Sequence, residues 1–129
     1  MPYQSFEELD VWKRSSRLAV DIYLTLRECR DFGLKDQMTR SAVSIPSNIA
    51  EGAERVSVRE FSRFLYIARG SAAELRTQLY IASKVGIINI TVASRLISEV
   101  SEISAMIIAV SYTHLRAHET NDLISDSVF

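Results

Sequence analysis

Ser44-Ile45-Pro46-Ser47-Asn48-Ile49-Ala50-Glu51-Gly52 and the run it feeds, Glu60 to Ala82, decide the fold. In the second run Phe61, Phe64, Leu65, Ala68, Ala72, Leu75, Leu79 and Ala82 recur in steps of three and four. That is the period of a helix with one apolar face. Ser57-Val58-Arg59-Glu60 ahead of it has the Ser-x-x-Glu spacing of a capping box, and Gly86 closes it, so this helix is predicted to last to about Val85. Around the first run Leu34, Met38, Ala42, Ile45, Ile49 and Ala53 keep the same period, which predicts a helix from about Leu34 to Ala53. Pro46 falls inside it. A proline there removes one backbone donor and crowds the carbonyl of Ala42, so the helix is expected to kink or break. Ser44 and Ser47 flank the proline and are placed to satisfy freed carbonyls, and Gly52 is a candidate terminator.

Working outward, Leu9, Trp12, Ser16, Ala19, Tyr23 and Leu26 mark a first helix from about Leu9 to Arg30, with Val11, Leu18, Ile22 and Cys29 widening its stripe. Ser5 with Glu8 reads as its capping box, and Asp31-Phe32-Gly33 as its end. A fourth helix starts at Asn89 or Thr91, either of which can cap it. Val92, Leu96, Val100, Ile103, Ile107 and Val110 are its buried stripe. Short connections make neighbours antiparallel, so residues 1–110 are predicted to form an all-α, up-down-up-down four-helix bundle with the second helix kinked at Pro46. After Val110 no apolar period is sustained. Residues 111–129 read as a weakly ordered or artefactual C-terminal tail, similar to translated adapter sequence, and no function is read from them.

Composition excludes several function classes. The chain has 129 residues, enough for one domain with a real core, and 47% of them are apolar. Formal net charge is −1, and residues 1–110 hold 14 basic and 13 acidic groups, so no global basic field holds a polyanion. Cys29 is the single cysteine and forms no internal disulfide, which fits a reducing cytoplasm. No stretch approaches 18 continuous apolar residues, and Met1-Pro2-Tyr3-Gln4 lacks a signal pattern, so a soluble cytoplasmic protein with no membrane partner is expected.

The same residues leave little for catalysis. A bundle di-iron site needs Glu-x-x-His pairs, yet His114 and His118 both lie in the tail with no third ligand in view. No metal or cofactor is expected. Cys29 has no histidine partner in the bundle, and the four glycines form no phosphate loop. An enzyme would have to be built from Arg40, Glu51 and Glu74, and no catalytic residue is assigned.

Three polar or mixed surfaces remain. Arg40, Ser44, Asn48 and Glu51 on helix two face Ser71, Glu74 and Gln78 on helix three. They read as an inter-helix network that fixes register, with Arg40 pairing at or near Glu74, or as the lining of a polar pocket. On helix three, Tyr66, Gly70, Ala73, Thr77 and Tyr80 fall on the side away from the core. Small residues bordered by tyrosines suit a contact between subunits; a merely exposed apolar face and packing by the C-terminal tail are the competing readings. Lys13, Arg14 and Arg17, and Arg55, Arg59 and Arg63, are the candidate phosphate contacts. Acidic residues interleave with both groups, so a salt-bridged helix face is the competing reading.

Leu9-x-Val11-Trp12, Ser44 to Gly52, Glu60-Phe61-x-x-Phe64-Leu65-x-Ile67-Ala68-x-Gly70-Ser71 and Glu74-Leu75-x-Thr77-Gln78-Leu79 resemble a known family over about residues 5–110. It is the four-helix bundle family named for the 23S ribosomal RNA intervening-sequence protein (S23-type). The resemblance implies a homopentamer, a ring of bundles, and a loose association with RNA, because some members are encoded inside ribosomal RNA intervening sequences. It extends to accessory proteins of diversity-generating retroelements, which are basic pentamers that bind nucleic acid and a reverse transcriptase. This near-neutral chain departs from them in charge. No catalytic residues carry over. Trp12, Arg40, Pro46, Asn48, Glu51, Gly52, Gly70, Ser71, Glu74 and Gln78 match recurrent positions, which are read as structural or assembly positions.

Overall fold

The computed structural model describes residues 5–128, with side chains described through His114 and at Arg116. A short 3-10 turn, Phe6–Glu8, precedes four helices: α1 (Asp10–Thr25), α2 (Phe32–Ala53), α3 (Val58–Lys84) and α4 (Ile90–Val128). Among the described residues there is no strand. Each helix packs on its sequence neighbours, and α1 also packs on α4, so the four close into a bundle around one core. The buried stripes meet inside: Leu18 and Ile22 from α1, Met38, Ile45 and Ile49 from α2, Leu65, Leu75 and Leu79 from α3, and Leu96, Ile103 and Ile107 from α4. Burial of these large side chains is the main stabilising term, at about 1.5–3 kcal/mol each.

Contacts between helices give their directions. Gly52, near the end of α2, lies against Phe61 and Phe64 near the start of α3, while Ser44 meets Ser71 farther along α3. Arg14 of α1 pairs with Glu99 of α4, and Asp21 with Arg95, earlier in α4. Leu65 shares a cleft with Ile107, and Arg76 shares another with Val100. In each of these three pairs one chain segment rises as the other descends.

The helix ends follow local chemistry, with some departures from the sequence reading. Ser5 accepts from the backbone N–H of Glu7 and caps the 3-10 turn rather than α1, and Trp12 packs edge-on against Phe6 of that turn at 5.2 Å. The first helix stops at Thr25, not near Arg30. Asp31 is the start of the next helix rather than the end of the first, because its carboxylate accepts from the Leu34 N–H at 3.0 Å. Ser57 caps α3 by accepting from the Glu60 N–H at 3.3 Å. Gly86, at φ +82°, ends α3; the Ile87 N–H bonds the Ala82 carbonyl and the Gly86 N–H that of Ser83. That pairing satisfies the last carbonyls, and only glycine takes the left-handed backbone without strain. Asn89 caps α4 by accepting from Thr91 and Val92.

Two features of α2 and α4 bear on the site. The helix runs unbroken through the buried Pro46. Ser44 spends its hydroxyl on Ser71 and Asn48, not on the carbonyl that the proline frees. In α4 the apolar period stops at Val110 but the helix continues to Val128, with the His114 ring edge-on to Phe61 at 4.8 Å. The segment Ile90–His114 is long and apolar enough to cross a membrane. Its apolar stripe, from Ala93 to Ile107, lies in the bundle core.

Candidate functional site

The polar side chains between α2 and α3 line an open cleft of about 300 Å³, bordered by Gln37, Arg40, Ser41, Ser44, Ser71, Glu74 and Gln78. Its floor is a hydroxyl pair: Ser44 Oγ lies 2.8 Å from Ser71 Oγ, and Asn48 Nδ2 donates to both the Ser44 carbonyl and Oγ. Ser71 is buried and Ser44 half-buried, so this chain of bonds fixes α2 against α3. Of the polar residues singled out in the sequence, Ser44, Asn48 and Ser71 are brought together here.

The charged residues of that set do not join them. Arg40 does not pair with Glu74; its Nε donates to Asp36 at 2.9 Å, one turn back on its own helix, with both side chains mostly in water. Glu51 accepts from Arg55 at 2.9 Å, four residues on, and stays out of the cleft. Four-residue spacing on one helix brings such pairs together without ordering a second element, which is why they win over the inter-helix alternative. Glu74 is exposed and has no ion-pair partner among the described residues. Gln78 Oε1 is buried with no hydrogen-bond donor there either. Sequence periodicity found the cleft, but not Gln37 and Ser41 in its wall; both sit one turn from Arg40 or Ser44 on the same side of α2.

The outer side of α3 is open. Tyr66 and Tyr80 are 74% and 52% exposed, and Gly70, Ala73 and Thr77 between them also face solvent. A Cβ added at Gly70 would meet nothing within 4 Å, whereas one at Gly52 would lie 2.7 Å from Phe64 Cβ and 3.0 Å from Phe61 Cδ1. Gly52 therefore sets how closely α2 and α3 approach. Gly70 has no such role inside the protomer. Glu74 borders this seam on the α2 side, and Arg69 and Arg76 border it on the α4 side.

The basic clusters are partly neutralised. Arg14 bonds Glu99 through Nε and Nη2 and reaches Glu102 at 3.2 Å and Met106 Sδ at 3.4 Å. The bonds to Glu99 hold its pKa above the ordinary arginine value, against desolvation, which lowers it. Arg55 is held by Glu51 and lies over the Phe64 ring at 5.0 Å; Arg63 lies over the same ring at 5.9 Å. Lys13, Arg17 and Arg59 are exposed without an ion-pair partner among the described residues.

Among the described residues no three histidine, cysteine or acidic side chains gather as metal ligands. His114 packs on Phe61, and the side chain of His118 lies outside the described residues. Cys29 sits after α1, half-buried, with Sγ 3.7 Å from the Asp31 carbonyl.

The family described as 23S rRNA-intervening sequence protein matches residues 7–109. The chain belongs to this family. Its span ends one residue before the apolar period of α4 does. A crystal structure of a protein of unknown function from the S23 ribosomal protein family of Bacteroides thetaiotaomicron is similar, with a TM-score of 0.74 and 28% identity. That similarity covers 78% of this chain and 97% of the other. No curated protein matches. The family carries no assigned reaction into the α2–α3 cleft.

Proposed function

We propose that this chain is a non-catalytic bundle that assembles with copies of itself, as a homopentamer in the cytoplasm, and serves as an assembly or adaptor module. The observation that carries this reading is the open outer side of α3. A glycine in the interior of a 27-residue helix costs about 0.5–1 kcal/mol relative to alanine. Nothing within the protomer requires it at Gly70. A close neighbour from outside does, and exposed tyrosines on either side suit a partly wet interface.

A second reading is an RNA- or DNA-binding accessory protein. Lys13, Arg17, Arg59 and Arg63 favour it, since none is claimed by an ion pair among the described residues. Repetition around a ring would multiply a weak patch. Arg14 and Arg55, each held by a carboxylate, weigh against it. Light scattering on the full chain, with and without RNA, tests both. The first reading expects five times 14.6 kDa without RNA and no change on adding it. A complex with RNA that dissolves as salt rises supports the second. A monomer at high concentration contradicts the first.

A further inference from the structure

Two opposite charges border the α2–α3 cleft and do not meet. Ser44 lies against Ser71 while α2 and α3 run in opposite directions. Arg40 and Ser41, one turn earlier on α2, therefore stand level with Glu74 and Leu75, one turn later on α3. Arg40 and Glu74 are within about one residue rise, roughly 1.5 Å, of the same height on opposite walls. Yet Arg40 Nε is spent on Asp36, and Glu74 has no ion-pair partner among the described residues. The space between the two walls, about 300 Å³, stays open.

The floor of the cleft has donors left over. The Ser44 and Ser71 hydroxyls bring a hydrogen each, and the 2.8 Å bond between them uses only one. Asn48 supplies its own hydrogen to Ser44, so the second hydroxyl hydrogen finds no acceptor among the described residues. Ser41 is only 7% exposed, and its hydroxyl has no hydrogen-bond partner there either. Sheltered hydroxyls are normally satisfied, and an unused donor favours any acceptor oxygen that enters. Both donors lie on the floor of a cleft whose lining side chains are all polar, with the Arg40 guanidinium beside them.

We propose that this cleft binds a small zwitterion, a free polar α-amino acid, with its carboxylate toward Arg40 and its ammonium on Glu74. The carboxylate accepts from the Arg40 Nη groups, which Asp36 leaves unspent, and from the free hydroxyl hydrogens of Ser41 and the Ser44–Ser71 pair. The ammonium donates to the Glu74 carboxylate. Each charge of the ligand then has a charge-assisted bond. A lone anion would face Glu74 and a lone cation would face Arg40, so the cleft discriminates against both. Its volume lies at the lower end of the range for ligand pockets, about 300–1,000 Å³, which suits a free amino acid better than a nucleotide. Every contact comes from one chain, so the site stands or falls apart from the subunit reading of α3.

Titration calorimetry on the full chain with L-serine and L-glutamine tests it. The expected Kd is on the order of 0.1–1 mM, since so small a ligand makes few contacts. Acetate and ethanolamine, with one charge each, should bind at least about tenfold more weakly. Glu74→Gln should weaken amino-acid binding about tenfold or more and remove the preference over acetate. Arg40→Gln should weaken it as much and remove the preference over ethanolamine. Ser41→Ala should weaken binding on the order of threefold without lowering stability to urea, because the hydroxyl it removes has no partner in the protomer. A merely structural serine would lose stability instead. Glu51→Gln, outside the cleft, should leave binding unchanged. The proposal is overturned if folded wild-type protein binds neither amino acid at about 10 mM, well above that Kd. Acetate binding as tightly as the amino acids overturns it too, as does equal binding by the wild type, Glu74→Gln and Arg40→Gln.

Discussion

The two sides of α3 each hold the answer to a different glycine. On the side toward α2, Gly52 faces Phe61 and Phe64 so closely that even a methyl group would collide. On the far side, Gly70 faces open space between two exposed tyrosines. The first glycine is explained by the fold of one chain. The second is not: nothing in the protomer comes within 4 Å of a Cβ there, and the proposed subunit contact is what would use that space. Internal packing and the proposed assembly thus draw on opposite sides of one helix.

Substitutions can break that separation. Gly70→Leu has the largest expected effect: assembly should weaken on the order of a hundredfold or more, about 3 kcal/mol, with no loss of monomer stability. Mass by light scattering and thermal unfolding of the same sample check it. Gly52→Ala should do the reverse. Overpacking against Phe64 and Phe61 should cost about 1–3 kcal/mol in denaturant unfolding, and any loss of assembly should follow the loss of fold. If Gly52→Ala were neutral to folding, the close approach of α2 and α3 would be slack, and the contrast would lose one arm.

Smaller effects sharpen the picture of the charges. Arg14→Ala removes the link between α1 and α4 and leaves Glu99 and Glu102 close together. At about one-third exposure the expected loss is about 1 kcal/mol in urea unfolding, reduced by salt. Arg40→Ala removes a one-turn surface pair and should change stability by less than about 0.5 kcal/mol. A large loss there would mean that Arg40 is needed at Glu74 after all.

Much of this was legible in the sequence because it depends on period and spacing. The steps of three and four in Phe61 to Ala82 located the core side of α3, and Ser57 with Glu60 located its start. Ser44, Asn48 and Ser71 were recognisable as one polar group because α2 and α3 are neighbours. The partners of Arg40 and Glu51 were not. Each had a local partner four residues away and a distant one across the cleft, and spacing alone does not rank them. The role of Asp31 was ambiguous for a similar reason, since Asp-Phe-Gly both ends and begins helices. Pro46 was read as a kink or a break, and α2 is not broken there. After Val110 the sequence changes character while the helix does not.

The central claim is that the outer side of α3 is covered by another copy of the chain. Covalent labelling of tyrosine in the assembled wild-type protein tests it most directly, with the Gly70→Leu monomer as reference. Tyr66 and Tyr80 should be protected in the wild type and react freely in the variant, although both are exposed in the single protomer. Equal, rapid labelling of both residues in the two proteins would contradict the account.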